Sequence, residues 1–204
     1  MPYSSWLIER LTVETRAHQA NADSLFDLLF ADDVSAAHYL VFLRRTYGFQ
    51  AALEAMLSAT PNLGLMIDLR ERAKGTYLAQ DMLALGLRPH AIAQLPQCLD
   101  IPHFLGAAEA LGWMYVTERM TLAHSVVRRH LLTKLPREMH YASSYFQCYS
   151  GVVGLRWREF GSRLDDIASQ KAIADRIVAA ADEAFACQHR WAGREHAYAH
   201  VRAI

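Results

Sequence analysis

Residues His103 to Lys134, HFLGAAEALGWMYVTERMTLAHSVVRRHLLTK, constrain the fold more than any other stretch. No proline interrupts them and helix formers fill them from end to end. Leu105, Ala108, Leu111, Trp113, Met114, Val116, Met120, Ala123, Val126 and Val127 spread over more than one face. A helix apolar over most of its circumference belongs at the centre of a fold. Yet its middle carries Glu118, Arg119 and His124, and burying charge without a partner is costly. Those groups must pair with neighbours or serve a site.

A chain of 204 residues can bury a sizeable core without staples. One domain over 1–204 is expected, with 193–204 a loosely held tail. Lysine plus arginine equals aspartate plus glutamate, 21 against 21, so there is no basic footprint for nucleic acid. Arg128-Arg129-His130 and Arg156-Trp157-Arg158 are local clusters that could hold an anion. Cys98, Cys148 and Cys187 are scattered and form no CxxC, which predicts reduced thiols in a cytoplasmic protein and argues against a structural zinc site. MPYSSWLIERL lacks the pattern of a secretory signal, and no apolar run approaches the roughly 20 residues that span a bilayer. No membrane partner is expected.

Ser4 or Ser5 can cap a first helix running through WLIERLTVETRAHQA, on which Leu7, Leu11, Glu14 and His18 fall near one stripe. His18 then leans toward the buried face, as a core-edge histidine or as a ligand. A short helix over 23–30 and a long one over about 34–59 follow, the latter stopped at Thr60-Pro61. The periodicity predicts another helix over 67–85, ended by Gly86, and a connection from Arg88 to Pro102. Gly151 and Gly154 suggest a close approach of backbone to a neighbour or ligand. Helices over 152–164 and 167–193 bring the expected total to about seven or eight. There is no strand alternation, hairpin signal or repeat, so the class is all-α.

Several stretches occur in a familiar order: TRAHQ in the first helix, YLVFLRRTYGFQAALE in the third and LAQDMLALG in the fourth. LGWMYVTERMTLAHSVVRRHL and GLRWREF follow. Through them the chain resembles the haem oxygenase family, especially the bacterial type found beside bacteriophytochromes, over nearly its whole length. The resemblance implies a haem-oxygenase-like helical bundle that holds haem, as substrate and cofactor, between the first helix and a bent distal helix. The implied reaction is oxidative cleavage to biliverdin, iron and CO, with electrons from a ferredoxin or a flavin reductase. The resemblance also implies His18 as the iron ligand, and Glu14, one turn earlier on the same face, could partner its other ring nitrogen. It places Glu118, Arg119, Ala123 and His124 along the distal helix. Arg156 and Arg158 fall near the haem propionates, with Arg158 facing the pocket.

The sequence departs from the family pattern on both sides of that pocket. The family's distal glycines let backbone lie against the porphyrin and bound O2, but Arg119 stands at the first of those positions and Ala123 and His124 at the later pair. Thr15 and His18 are three apart where the family has four, so alignment on the threonine puts Gln19 at the ligand position. Three outcomes fit. The pocket is reshaped and active with His18 on iron; or haem is held between His18 and His124 without turnover; or haem is not bound, and Glu118 and Arg119 serve another small molecule or partner. Adjacent helix residues point about 100° apart, so these two pair more naturally with other helices than with each other. A straight helix from Glu118 to His124 would end the case for catalysis. A di-iron site wants Glu-x-x-His pairs, which the chain lacks, although Glu14 and His18 could share one metal. A thiaminase-type hydrolase would have to use Cys148, a position better read as a buried structural thiol.

Overall fold

The computed structural model describes residues 5–194, without the side chains of residues 20 and 21. Part of the expected tail, 195–204, lies outside the described residues. Helix α1 (Trp6–Glu14) opens on Ser5, whose hydroxyl accepts from the Ile8 amide. It does not run on to residue 20. Thr15 interrupts it, and α2 (Arg16–Asp23) sets off anew. At the break the Thr15 hydroxyl donates to the Leu11 carbonyl at 2.8 Å, and buried Gln19 donates to the Thr12 carbonyl at 3.2 Å and to Thr15 Oγ1 at 3.1 Å. Side chains compete there for acceptors that regular helix would use.

A 3-10 turn (Ser24–Phe26) and α3 (Asp27–Phe30) lead to α4 (Ala36–Ala59), which Ser35 caps and extended Thr60 ends. The single helix expected over 67–85 is absent. Helix α5 (Leu63–Met66) ends at extended Ile67, a 3-10 turn spans Arg70–Arg72, Ala73 is extended again, and α6 (Gly75–Ala84) begins afresh. Charge overrides the apolar pattern here, because Arg72 and Lys74 turn into the interior. The Lys74 and Gly75 amides donate to Glu54 Oε1 at 2.6 and 3.0 Å, which anchors the turn. Gly86 stops α6 at φ 95°, with the Gly86 and Leu87 amides bonded to the carbonyls of Leu83 and Met82. The connection that follows contains a short helix, α7 (Pro89–Ala93).

Helix α8 (Ala107–Met120) is buried at 11 of its 14 positions, around its whole circumference. It packs along α13 (Lys171–Ala192). Gly112 makes that approach possible: a Cβ there would lie 2.7 Å from the Ala180 Cβ and closer still to the Ile177 carbonyl oxygen. Gly151 and Gly154 do not mediate such an approach. Gly151 adopts φ 79° in a turn with nothing near it, and Gly154 faces only the end of the Arg158 side chain. Leu105 precedes the helix and is 90% exposed, so the central element starts later than its apolar pattern suggests.

The long central stretch bends. A 3-10 turn (Thr121–Ala123) separates α8 from α9 (His124–Lys134). The Thr121 hydroxyl donates to the Glu118 carbonyl at 2.6 Å, three residues back, and tightens the turn without any glycine. Helices α10 (Pro136–Tyr141), α11 (Ser144–Gln147) and α12 (Val153–Ile167) complete the all-α fold. Eight of the helices have eight residues or more and the other five are short, which is how an expected seven or eight becomes thirteen segments among the described residues. One apolar cluster joins α1, α8, α12 and α13, and a second joins the first half of α4 to α6, α9 and α11.

Candidate functional site at the central bend

Two polar arrangements flank the α8–α9 bend. The outer one is a groove of about 500 Å3. Asp23, Phe26, Asp27 and Phe30 form its wall on the α2–α3 side, and Arg119, Met120, Leu122, Ala123, Val126 and Val127 form the other. Across it the Arg119 guanidinium grips both oxygens of Asp23, at 2.8 and 3.0 Å. This forked pair raises the Arg119 pKa. Apart from Asp27 the remaining lining is apolar. The groove can therefore take a flat apolar body with a carboxylate at one edge, provided that carboxylate displaces Asp23 from Arg119.

The inner arrangement is closed. Glu118 is 1% exposed and receives Arg72 Nη1 at 2.6 Å, Lys74 Nζ at 2.6 Å and the Tyr149 hydroxyl at 3.1 Å. Lys74 Nζ also donates to the Arg72 carbonyl at 3.0 Å and lies 5.1 Å from the centre of the Tyr149 ring. Burial and the Glu118 charge push the Tyr149 phenol well up, so it stays a donor. Two cations and a hydroxyl satisfy this carboxylate from both sides. Such a network holds the bend against the α11–α12 connection and the 67–74 turn.

His124 follows the bend and points inward, away from the groove. It is 2% exposed, with its ring 4.5 Å from that of Tyr145 and 5.3 Å from that of Phe146. Its Nδ1 lies 3.8 Å from the Cys148 sulfur, and Nε2 is buried without a hydrogen-bond partner. Burial, with a smaller contribution from the Lys74 charge, pushes its pKa down to about 3. Burial pushes the Cys148 thiol up to about 11, which is the opposite of nucleophile activation.

Of the residues singled out from sequence, Arg119 and Ala123 line the groove, whereas Glu118 and His124 face the interior. His18 is not in the groove lining. Its Nε2 lies 3.1 Å from Asp182 on α13, and its side chain is 37% exposed. The break at Thr15 rotates it off the Leu7–Leu11 stripe. Glu14 is no partner for it, being engaged with Arg10. Gln19 is likewise absent from the groove lining, its amide being spent on the Thr15 break. Arg156 pairs with Glu71 and Glu159 and lines a separate polar groove beside the 67–72 segment. Arg158, expected to face the pocket, is exposed and lines neither groove. Asp23, Arg72, Lys74, Tyr149 and Asp182 were not foreseen. The charges in RERAK, at 70–74, were the available signal, set in what reads as the outer face of a helix.

No curated protein sequence matches the chain. Among solved structures it is similar to the haem oxygenase of Neisseria meningitidis, determined with NO and CO bound. The TM-score is 0.73 and the identity 23%, over 91% of this chain and 89% of that one, which is a likeness of fold. The sequence model described as Heme oxygenase matches residues 6–194. With the motifs, the bend and the fold in agreement, the chain belongs to the haem oxygenase family.

Proposed function

We propose that the chain binds a tetrapyrrole carboxylate in the groove beside the bend and does not oxidise it. The observation that carries this reading is the pairing of Arg119 with Asp23 across a groove whose lining is otherwise apolar except for Asp27 and contains no histidine. Haem chemistry of the family's kind needs an axial nitrogen on the iron and a backbone surface beside the bound O2. The groove offers neither. His18 is turned to Asp182, His124 is packed among aromatic rings, and Leu122, Ala123 and Val126 present side chains where close backbone approach is required.

A tetrapyrrole as ligand fits better than haem as redox centre. A groove of about 500 Å3 lies within the roughly 300–1,000 Å3 common for small-molecule sites. Its phenylalanine, leucine and valine lining suits a flat macrocycle or bilin, and Arg119 can exchange Asp23 for a propionate with the same forked geometry. Binding of this kind calls for no electron donor.

Titration of the full chain with haemin and with biliverdin tests the reading. One-to-one binding of at least one of them is expected, weakened about tenfold by Arg119→Ala, which corresponds to roughly 1.4 kcal/mol. His18→Ala leaves the haemin spectrum and affinity unchanged, and reduction of the complex under O2 yields no biliverdin. Failure to bind either tetrapyrrole refutes the ligand class. Biliverdin formation lost on His18→Ala refutes the absence of turnover.

A further inference from the structure

The scattered cysteines do not stay apart. Cys98, on the connection before α8, and Cys187, on α13, are 89 residues apart in sequence, yet their sulfurs lie 3.7 Å from each other. Both are 1% exposed. Cys98 is fixed by its amide, which donates to the Gly48 carbonyl at 3.0 Å. Asp100 follows two residues later at the surface, and one donor atom from each of the three residues lies within 4.8 Å of the other two. A disulfide would set the sulfurs about 2.0 Å apart. Two thiolates on one tetrahedral ion, each bonded at about 2.3 Å, stand about 3.75 Å apart.

We propose that Cys98, Cys187 and Asp100 form a binding site for a zinc-class divalent ion, with solvent as the fourth ligand. Soft thiolates select such an ion over magnesium or calcium. On binding, two S–H bonds break and two metal–sulfur bonds form; the two protons pass to solvent and no electrons are exchanged. Arg194 donates to Asp100 Oδ2 at 2.6 Å, which orients the carboxylate from outside the ligand set. Two thiolates and the carboxylate carry three negative charges, balanced by the ion and Arg194. The ion would tie the connection before α8 directly to α13. This site lies apart from the groove and does not depend on its ligand.

The test is anaerobic titration of the reduced full chain with Co2+. A near-ultraviolet thiolate-to-cobalt charge-transfer band is expected, saturating at one equivalent and bleached by Zn2+. Cys98→Ala abolishes the band, and Cys148→Ala retains it. Asp100→Asn, a surface change that leaves the core intact, lowers Co2+ affinity by at least about tenfold. No band from the wild type, or a band that survives Cys98→Ala, overturns the site. Unchanged affinity in Asp100→Asn overturns the three-ligand assignment. A reduced chain that binds no metal but forms a Cys98–Cys187 disulfide in air also overturns it.

Discussion

One residue apart on α8, Glu118 and Arg119 each make an ion pair to a distant part of the chain, Glu118 at 1% side-chain exposure and Arg119 at 20%, with its partner Asp23 at 56%. The environments decide what each pair can do. Glu118 has given up water on every side, and two cations and a phenol replace it. Its geometry is fixed because any loosening leaves a buried charge short of partners. Arg119 and Asp23 keep water on one side, so their bond contributes little to stability and can be exchanged at small cost. The inner pair suits a structural strut and the outer pair a binding site. The 100° between successive helix residues is enough to separate the two roles.

The largest effect should come from breaking the inner pair alone. Glu118→Ala leaves Arg72 and Lys74 buried without their carboxylate, and should cost about 3–5 kcal/mol in urea unfolding. A loss below about 1 kcal/mol would mean that water reaches the cluster and that the contrast with Arg119 is false.

His124 sharpens the comparison through pH. Its pKa is about 3 in the folded chain and about 6.5 when unfolded. Between those values the unfolded chain takes up a proton that the native chain refuses, so stability falls as pH drops through the window, by up to about 1.4 kcal/mol per pH unit. Above pH 6.5 the group contributes no slope. His124→Phe should flatten that part of the curve of urea midpoint against pH; an unaltered curve would show that the ring is hydrated.

Replacing the whole inner network with apolar side chains, Arg72→Met with Lys74→Met and Glu118→Leu, should destabilise less than Glu118→Ala alone, because no charge is then left unpaired. If the triple variant is the worse of the two, the ion pairs themselves hold the bend. The smallest effect belongs to the outer pair. Arg119→Ala should change unfolding free energy by less than about 1 kcal/mol, and by less still at high salt.

Much of the fold was legible. The all-α class, the central helix, the stops at Thr60-Pro61 and Gly86 and the family resemblance all follow from local patterns and ordered motifs. What escaped was long-range pairing. Residues 67–74 carry a helical apolar pattern, and the distant carboxylates Glu118 and Glu54 explain why they break it. In the sequence His18 shares one stripe with Leu7 and Leu11, because nothing in TRAHQ announces that Thr15 and Gln19 bond across a break. The cysteine spacing gave no hint that α13 returns to the connection before α8. Arg119 was legible as an anomaly, since it stands where the family has glycine; its partner Asp23, 96 residues away, was not.

The two cations of the inner cluster reach Glu118 across 46 and 44 residues of chain. Until α8 has docked, neither cation has Glu118 to neutralise it, and burying them would carry a dehydration penalty that the remaining neutral partners offset only in part. The 67–74 segment is therefore expected to take its final form only once α8 is in place. If these contacts form only after the folding transition state, changes at Glu118 should accelerate unfolding while leaving the folding rate almost untouched, which stopped-flow folding of Glu118→Ala would check. The network then acts as a latch, closed after the bundle assembles, that sets how long the folded chain survives rather than how quickly it forms.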